Sequence, residues 1–165
     1  MIDSNYVLIG DGFEYKDPVS IGGVGFNLTR TNKGMLVHKQ HNGLVLIGNN
    51  VHIGAFNNID RGLDLDTRIS DNVKTDSHVH IGHDAVIGKS VILSQKSTIG
   101  GHCIIGDYST IWVGAFIHQR VKVGKNCMVG AMTYLRHDLP DNHIAYGNPV
   151  IVKHRSEIKY PWVEY

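Results

Sequence analysis

The sequence predicts an all-β protein folded as a parallel β-helix of about six coils. Three observations predict this fold: a repeat of six residues, a composition that favours strands, and glycines that follow many of the repeated aliphatic positions. Isoleucine and valine together number 35, whereas leucine and alanine together number 15. Because β-branched residues favour strands and glycine permits tight turns, this composition argues against a helical fold.

An aliphatic side chain recurs at nearly every sixth residue through the second half of the chain. The positions are Ile69, Thr75, Ile81, Ile87, Leu93, Ile99, Ile105, Ile111, Ile117, Val123, Val129 and Leu135. A helix has a period near 3.6 and an ordinary strand a period of 2, so neither explains a repeat of six. Each hexad is therefore predicted to be one short strand and one turn. Three hexads would close a triangular coil, and successive coils would stack as parallel strands.

Two segments interrupt the repeat and are predicted to project from the β-helix. Residues 24–43 contain Thr31-Asn32-Lys33-Gly34 between strand-like arms, which predicts an extruded hairpin. Residues 60–68 form a polar insertion, and loops of this kind often carry binding residues. The sequence predicts one domain over residues 1–149, followed by a C-terminal tail over residues 150–165.

Charge and hydropathy exclude several classes of function. Lysine and arginine total 16 against 15 aspartates and glutamates, so no basic excess is present to hold nucleic acid or an anionic membrane. The longest uncharged apolar run, residues 111–117, is far shorter than the ~20 residues that span a bilayer. The N-terminus lacks the pattern of a signal peptide, so we expect a cytoplasmic protein. Cys103 and Cys127 are expected to be core thiols rather than nucleophiles.

His83 is the candidate general base. It lies in the turn of the segment Val79–Gly88, and histidine is the side chain whose protonation changes near neutral pH. Gly101 follows 18 residues later, one predicted coil above, so its bare N–H is expected beside the imidazole. A base and an amide donor are the groups needed to transfer an acyl group from a thioester to an amine or a hydroxyl.

The motifs around this pair resemble a known family. They are Val24-Gly25-Phe26, Ile59-Asp60-Arg61-Gly62, Asp66-Thr67, Asp76-Ser77 and Ile81-Gly82-His83-Asp84, followed by Gly101. Over about residues 7–150 the chain resembles UDP-3-O-acylglucosamine N-acyltransferase of lipid A synthesis. The hexads resemble those of the hexapeptide acyltransferases, whose coils are left-handed. The resemblance therefore implies a left-handed parallel β-helix, an exception to the usual right-handed crossover.

The same resemblance implies roles for individual residues and a homotrimer with sites between subunits. His83 would be the general base, and the N–H of Gly101 would be the oxyanion donor. Asp76 matches the family's acidic residue upstream of the catalytic histidine, so it either orients His83 or is a solvated turn residue. Asp84 follows the base as an acidic residue does in related amino-sugar N-acetyltransferases, and it too is either an orienting group or a turn residue.

The acceptor is expected to be a nucleotide-linked amino sugar, because most of the specific resemblance lies in residues 59–84. Asp60, Arg61 and His80 are the predicted acceptor-binding residues. Arg61 is a candidate for a phosphate contact, and an internal ion pair with a neighbouring aspartate is the alternative.

The donor is expected to be an acyl-CoA, most simply acetyl-CoA, acting as a co-substrate rather than a permanent cofactor. The segment Asp141–Pro149 resembles the closing motif of CoA-dependent hexapeptide acetyltransferases. The predicted donor site consists of Gly101, Gln119, Arg120, Tyr146, Gly147 and Asn148. The candidates for its phosphates are Lys122, Lys125, Lys153 and Arg155, each of which is otherwise a solvated surface charge.

Three other functions remain open at this stage. A saccharide O-acetyltransferase would use the same base chemistry with a hydroxyl acceptor. A metal enzyme of the γ-carbonic anhydrase kind would need three histidines at a zinc ion, but His78, His80 and His83 lack a recognisable zinc spacing, so no metal site is predicted. A non-catalytic trimeric scaffold would use residues 24–43 to bind a partner.

Overall fold

The structure is a computed structural model that describes residues 1–158. Short strands stack in three sheets, which form the three faces of a β-helix. Sheet I contains β1 (Val7–Ile9), β6 (Val45–Ile47), β9 (Thr67–Ile69), β12 (Val86–Ile87), β15 (Ile104–Ile105) and β18 (Lys122–Val123). Sheet II contains β2 (Glu14–Tyr15), β7 (His52–Ile53), β10 (Lys74–Thr75), β13 (Ile92–Leu93), β16 (Thr110–Ile111), β19 (Met128–Val129), β21 (His143–Tyr146) and β22 (Ile151–His154). Sheet III contains β3 (Ser20–Gly23), β8 (Asn58–Asp60), β11 (His80–Ile81), β14 (Thr98–Ile99), β17 (Phe116–Ile117) and β20 (Tyr134–Leu135).

The chain passes from sheet I to sheet II to sheet III in each coil, and neighbouring coils pair in parallel. In sheet III, Ile81 pairs with Ile99, and Ile99 pairs with Ile117. Both pairs are separated by the 18 residues that three hexads contain. The predicted left-handed parallel β-helix of about six coils is confirmed.

The repeated aliphatic residues fill the interior of the helix. Ile81, Ile99 and Ile117 are completely buried, as are small residues four positions further on, such as Ala85 and Cys103. This alternation of large and small inward side chains lets three faces meet around one narrow core. Burial raises the pKa of Cys103 to about 11, so this thiol stays protonated at neutral pH, as expected of a core residue.

Both interruptions of the repeat leave the helix at the same corner, where sheet III passes to sheet I. The first contains the antiparallel strands β4 (Leu28–Arg30) and β5 (Leu36–His38), and the second is the loop that joins β8 to β9. The turns 82–85, 100–103 and 118–121 lie at this corner in the next three coils. We call it the III–I corner.

The described part of the C-terminal segment contains one further strand. Strand β22 runs antiparallel to β21 and covers the edge of sheet II, and a short 3₁₀ helix follows at Arg155–Glu157. An exposed edge has unpaired backbone groups, so a covering strand gives them partners. Residues 159–165 of the predicted tail lie outside the described residues. Within residues 1–158, no helix has the length and apolar character needed to cross a membrane.

The alternation of inward and outward residues predicts unequal effects of two neighbouring substitutions. Ile105 is buried in β15, and Lys122 is exposed on the adjacent strand β18. We expect Ile105→Ala to lower the free energy of unfolding by about 2–5 kcal/mol, because it leaves a cavity. Lys122→Ala should change it by less than about 0.5 kcal/mol. Urea denaturation followed by circular dichroism measures both, and equal losses would contradict this inside–outside assignment.

Candidate active site

His83 is the central side chain of the III–I corner. Its Nδ1 lies 2.6 Å from Oδ2 of Asp84. Because an ionised carboxylate only accepts hydrogen bonds, Nδ1 carries the hydrogen, and the neutral ring keeps a lone pair on Nε2. The ring points away from the core, as expected, but the hairpin of residues 24–43 covers it, and the side chain is 15% exposed.

Asp84 is a buried carboxylate held by the second insertion. It accepts the N–H groups of Leu63, Asp64 and Leu65 at 3.2, 3.0 and 2.5 Å, in addition to the bond from His83. Burial by itself raises the pKa of this carboxyl, but the bonds from His83 and from the three amides outweigh it and hold the pKa below the ordinary value. The polar insertion therefore gives His83 an ionised orienting partner.

Three further residues surround His83 that sequence reasoning missed. The rings of His102 and His41 pack edge-on against it, with centroids 5.1 and 5.8 Å away. The Asn27 amide lies 3.3 Å from Nε2 of His83. Burial lowers the pKa of His102, whose Nε2 is 3.7 Å from the Asp84 carboxylate. His102 lies one coil beyond Asp84, so the repeat could have found it, whereas Asn27 and His41 reach the site through the fold of the hairpin.

Gly101 lies directly above His83, as the 18-residue spacing predicts. A Cβ on Gly101 would lie 2.8 Å from Nε2 of His83, so the bare glycine leaves the base accessible. Its N–H donates no hydrogen bond within the described part of the chain. A Cβ on Gly82, one coil below, would lie 2.8 Å from the backbone nitrogen of Gly101, so the absence of a side chain at Gly82 keeps this amide open. A proton acceptor and a free amide donor therefore face the same space.

That space is a cleft of about 560 Å³ on the outer face of sheet III. Its lining residues are Ser20, Gly23, Val24, Phe26, Asn58, Asp60, His80, Gly82, His83, Thr98, Gly100, Gly101, Phe116, His118 and Gln119. The predicted acceptor residues Asp60 and His80 line the cleft with His83, and Gly101 and Gln119 are the predicted donor residues that join them. His118 is a cleft residue that the predicted site had not included.

The other predicted donor residues are distributed around the end of the β-helix. Arg120 follows Gln119 but does not line the cleft. Tyr146 ends β21 of sheet II and Gly147 follows it, so they lie at the corner between sheets II and III rather than beside Gln119. Asn148 lines a second cavity of about 430 Å³, to which Tyr134 and Arg136 also belong. The rings of Phe116 and Tyr134, 5.1 Å apart, connect the two cavities along sheet III.

The predicted phosphate-binding cations line neither cavity. Lys125 forms an ion pair with Asp107 at 3.2 Å, and Arg155 contacts the Asn126 side chain at 2.8 Å. Lys122 and Lys153 are exposed on sheets I and II. Arg136 is the cation that lines the second cavity.

Two further predicted roles find no supporting contact. Asp76 follows β10 of sheet II, so it lies at the corner between sheets II and III, where its exposed carboxylate accepts the N–H of Ser77 at 2.7 Å. Asp84, and not Asp76, is the carboxylate within hydrogen-bond distance of His83. Arg61 forms no ion pair with the neighbouring aspartates, because its guanidinium lies 3.6 Å from the ring centroid of Tyr6.

His83, Asp84 and His102 are the described residues that could together hold a metal ion. Each offers one ligand atom, and these atoms lie within 4.8 Å of one another. Two imidazoles and a carboxylate are a ligand set that zinc accepts. At 2.6 Å, however, His83 and Asp84 are at hydrogen-bond distance, and a metal ion between them would have to replace that hydrogen.

The repeated coils define the class of this protein as a hexapeptide-repeat β-helix. The bacterial transferase hexapeptide (six repeats) family matches residues 66–101 and 102–137. The predicted resemblance to UDP-3-O-acylglucosamine N-acyltransferase is also confirmed. The enzyme of Rickettsia prowazekii (strain Madrid E) is 41% identical over 107 residues, which are 65% of this chain and 31% of that enzyme. The chain thus spans about a third of the length of the curated relatives it matches.

Solved structures with the same fold support this class. LpxA of Bacteroides fragilis 9343, a UDP-N-acetylglucosamine acyltransferase, has a TM-score of 0.78 and 25% identity, over 90% of this chain and 56% of that one. PerB of Caulobacter crescentus, solved with CoA and GDP-perosamine, has a TM-score of 0.59 and 21% identity, over 86% of this chain and 53% of that one. At that identity, the likeness to PerB establishes the fold alone.

The hydrogen bonds to Asp84 predict a pH-dependent contribution to stability. Because its folded pKa lies below the unfolded value, its contribution is present above pH ~4 and is lost as the pH falls through the folded pKa. We expect Asp84→Asn to lower the free energy of unfolding at pH 7 by about 1–3 kcal/mol. The difference from wild type should shrink by pH 3. Urea denaturation at pH 7, 5 and 3 measures it, with exposed Asp11→Asn as control, and a pH-independent difference would contradict the assignment.

Proposed function

We propose that this protein transfers a short acyl group, most simply acetyl, from acyl-CoA to the amine of a nucleotide-linked amino sugar. The observation that carries the proposal is the His83–Asp84 pair. Its Nε2, which the Asn27 amide contacts at 3.3 Å, faces the same cleft as the Gly101 N–H, which has no partner among the described residues. The resemblance to the N-acyltransferases, strongest around these residues, supports an acyl acceptor that is an amine.

The reaction follows from the roles of these groups. The neutral amine attacks the thioester carbonyl carbon and forms the C–N bond, while His83 Nε2 takes a proton from the nitrogen. The Gly101 N–H donates to the carbonyl oxygen as negative charge develops there. The C–S bond then breaks, and the protonated His83 returns the proton to the departing thiolate. Asp84 stays ionised and stabilises the imidazolium without itself taking a proton.

We infer that the donor lies along sheet III, and the two adjoining cavities support this position. A thioester carbonyl at Gly101 would let the rest of the donor extend past Phe116 and Tyr134 toward Asn148. Arg136 is then the candidate for a donor phosphate, in place of the four cations inferred from sequence. CoA and GDP-perosamine together in PerB show that this fold accommodates such a pair of ligands in that protein.

Transfer to a hydroxyl is the second candidate function. It is favoured by the likeness to LpxA of Bacteroides fragilis 9343 at 25% identity, because the nitrogen of UDP-N-acetylglucosamine is already acylated and its hydroxyls remain as acceptors in that protein. The same base and the same amide donor would serve both reactions, so the acceptor decides between them.

Purified protein incubated with acetyl-CoA and a panel of nucleotide amino sugars should release thiol. We expect His83→Ala to lower turnover about 10²–10⁴-fold, because it removes the general base, with little effect on the fold. His52→Ala, a histidine of sheet II paired with Glu14, is the matched control and should retain activity. Activity of His83→Ala within a few fold of wild type would remove His83 from the mechanism, and turnover of hydroxyl acceptors alone would favour the O-acyltransferase.

The proposal includes a homotrimer, because apolar outward residues of one chain remain uncovered. Leu8 on sheet I is 60% exposed, and Phe26 at the hairpin is 85% exposed. Association of three copies around a closed symmetry axis would cover such surfaces. Light scattering should give about three times the chain mass of 18.3 kDa. A particle of one chain mass would contradict the trimer and any site that needs a neighbouring subunit.

A further inference from the structure

Asp60 is a buried carboxylate on the floor of the cleft. It is 6% exposed, and its Oδ1 accepts the Asn58 amide at 2.8 Å. Its Oδ2 accepts no hydrogen bond from the described residues, and Nε2 of His80 is 3.8 Å away. Asp60 lines the cleft, so a ligand bound there can donate a hydrogen bond to this oxygen.

Asn58 orients both Asp60 and His80 through its side-chain amide. Its amide also lies 3.1 Å from Nδ1 of His80 and donates to that nitrogen. The remaining hydrogen of a neutral His80 is then on Nε2, which faces Asp60 across a gap too long for a hydrogen bond. A bare Gly25 borders the same oxygen, because a Cβ there would lie 2.6 Å from Oδ2.

The charges around the cleft favour a cationic ligand group. No lysine or arginine is among the described residues that line it. Arg61, the nearest cation in sequence, stacks on Tyr6 instead of pairing with Asp60. An anionic phosphate would therefore find a carboxylate here and no lysine or arginine to balance it, whereas an ammonium would supply the missing donor and charge.

We propose that Asp60 Oδ2 binds the amino group of the acceptor sugar in its protonated form and thereby selects amines over hydroxyls. The inference rests on the proposed function, because it assigns a specificity residue for the acceptor of that reaction. An amine with a pKa of about 8 is largely protonated at neutral pH. The ammonium loses one proton to solvent before it attacks, and Asp60 then accepts a remaining N–H. A hydroxyl acceptor offers no positive charge to this carboxylate.

Calorimetry without any acyl donor tests this selection. The probes are UDP-glucose and its 2-amino, 3-amino and 4-amino derivatives at pH 7.5, with wild type, Asp60→Asn and the exposed control Asp11→Asn. We expect at least one amino derivative to bind wild type roughly 10- to 100-fold more tightly than UDP-glucose. Asp60→Asn should abolish that advantage, and Asp11→Asn should preserve it.

A second measurement on wild type requires no variant to fold. At pH 9.5 the amine is largely neutral, so its advantage over UDP-glucose should fall to a few fold. Equal binding of all four probes at pH 7.5, or an advantage that survives either Asp60→Asn or pH 9.5, would overturn the proposal. Thiol release from acetyl-CoA is measured separately. Selective binding without thiol release would contradict acyl transfer but not amine selection by Asp60. Thiol release without selective binding would contradict amine selection by Asp60 but not acyl transfer.

Discussion

Parallel stacking with an 18-residue register is the constraint on which the rest of this structure depends. In the coils without insertions, a strand residue pairs with those 18 positions before and after it. The aliphatic core fixes this register, because a slip of one residue would turn the inward aliphatic side chains toward solvent. The same register brings Gly101 over His83 and His102 beside Asp84.

The two insertions convert one corner of this regular scaffold into a candidate site. The loop after β8 supplies three amides to Asp84, and the hairpin after β3 brings Asn27 and His41 against His83. Neither contribution interrupts the core, since both segments leave and re-enter at the corner. The rigid coils position His83, Asp84 and the Gly101 amide, and the insertions supply hydrogen-bond donors and cover.

Two groups in the cleft have no hydrogen-bond partner among the described residues, and both proposals depend on them. The Gly101 N–H and Asp60 Oδ2 face the same space with opposite character, one a donor and the other an acceptor. A folded chain normally pairs such groups, so open ones indicate where a ligand completes the structure. An acyl carbonyl suits the donor, and an amine suits the acceptor.

The sequence by itself determined the coil, the core and the alignment of His83 with Gly101, because all three follow from a spacing that can be counted. It also located both insertions, since each breaks that spacing.

Only the tertiary structure decided which acidic residue lies within hydrogen-bond distance of His83. Asp76 and Asp84 are equally plausible by type, but they follow strands of different sheets, and only Asp84 lies at the corner of His83. Asn27, His41 and the free oxygen of Asp60 depended on how an irregular hairpin folds back over sheet III, and no repeat encodes that path.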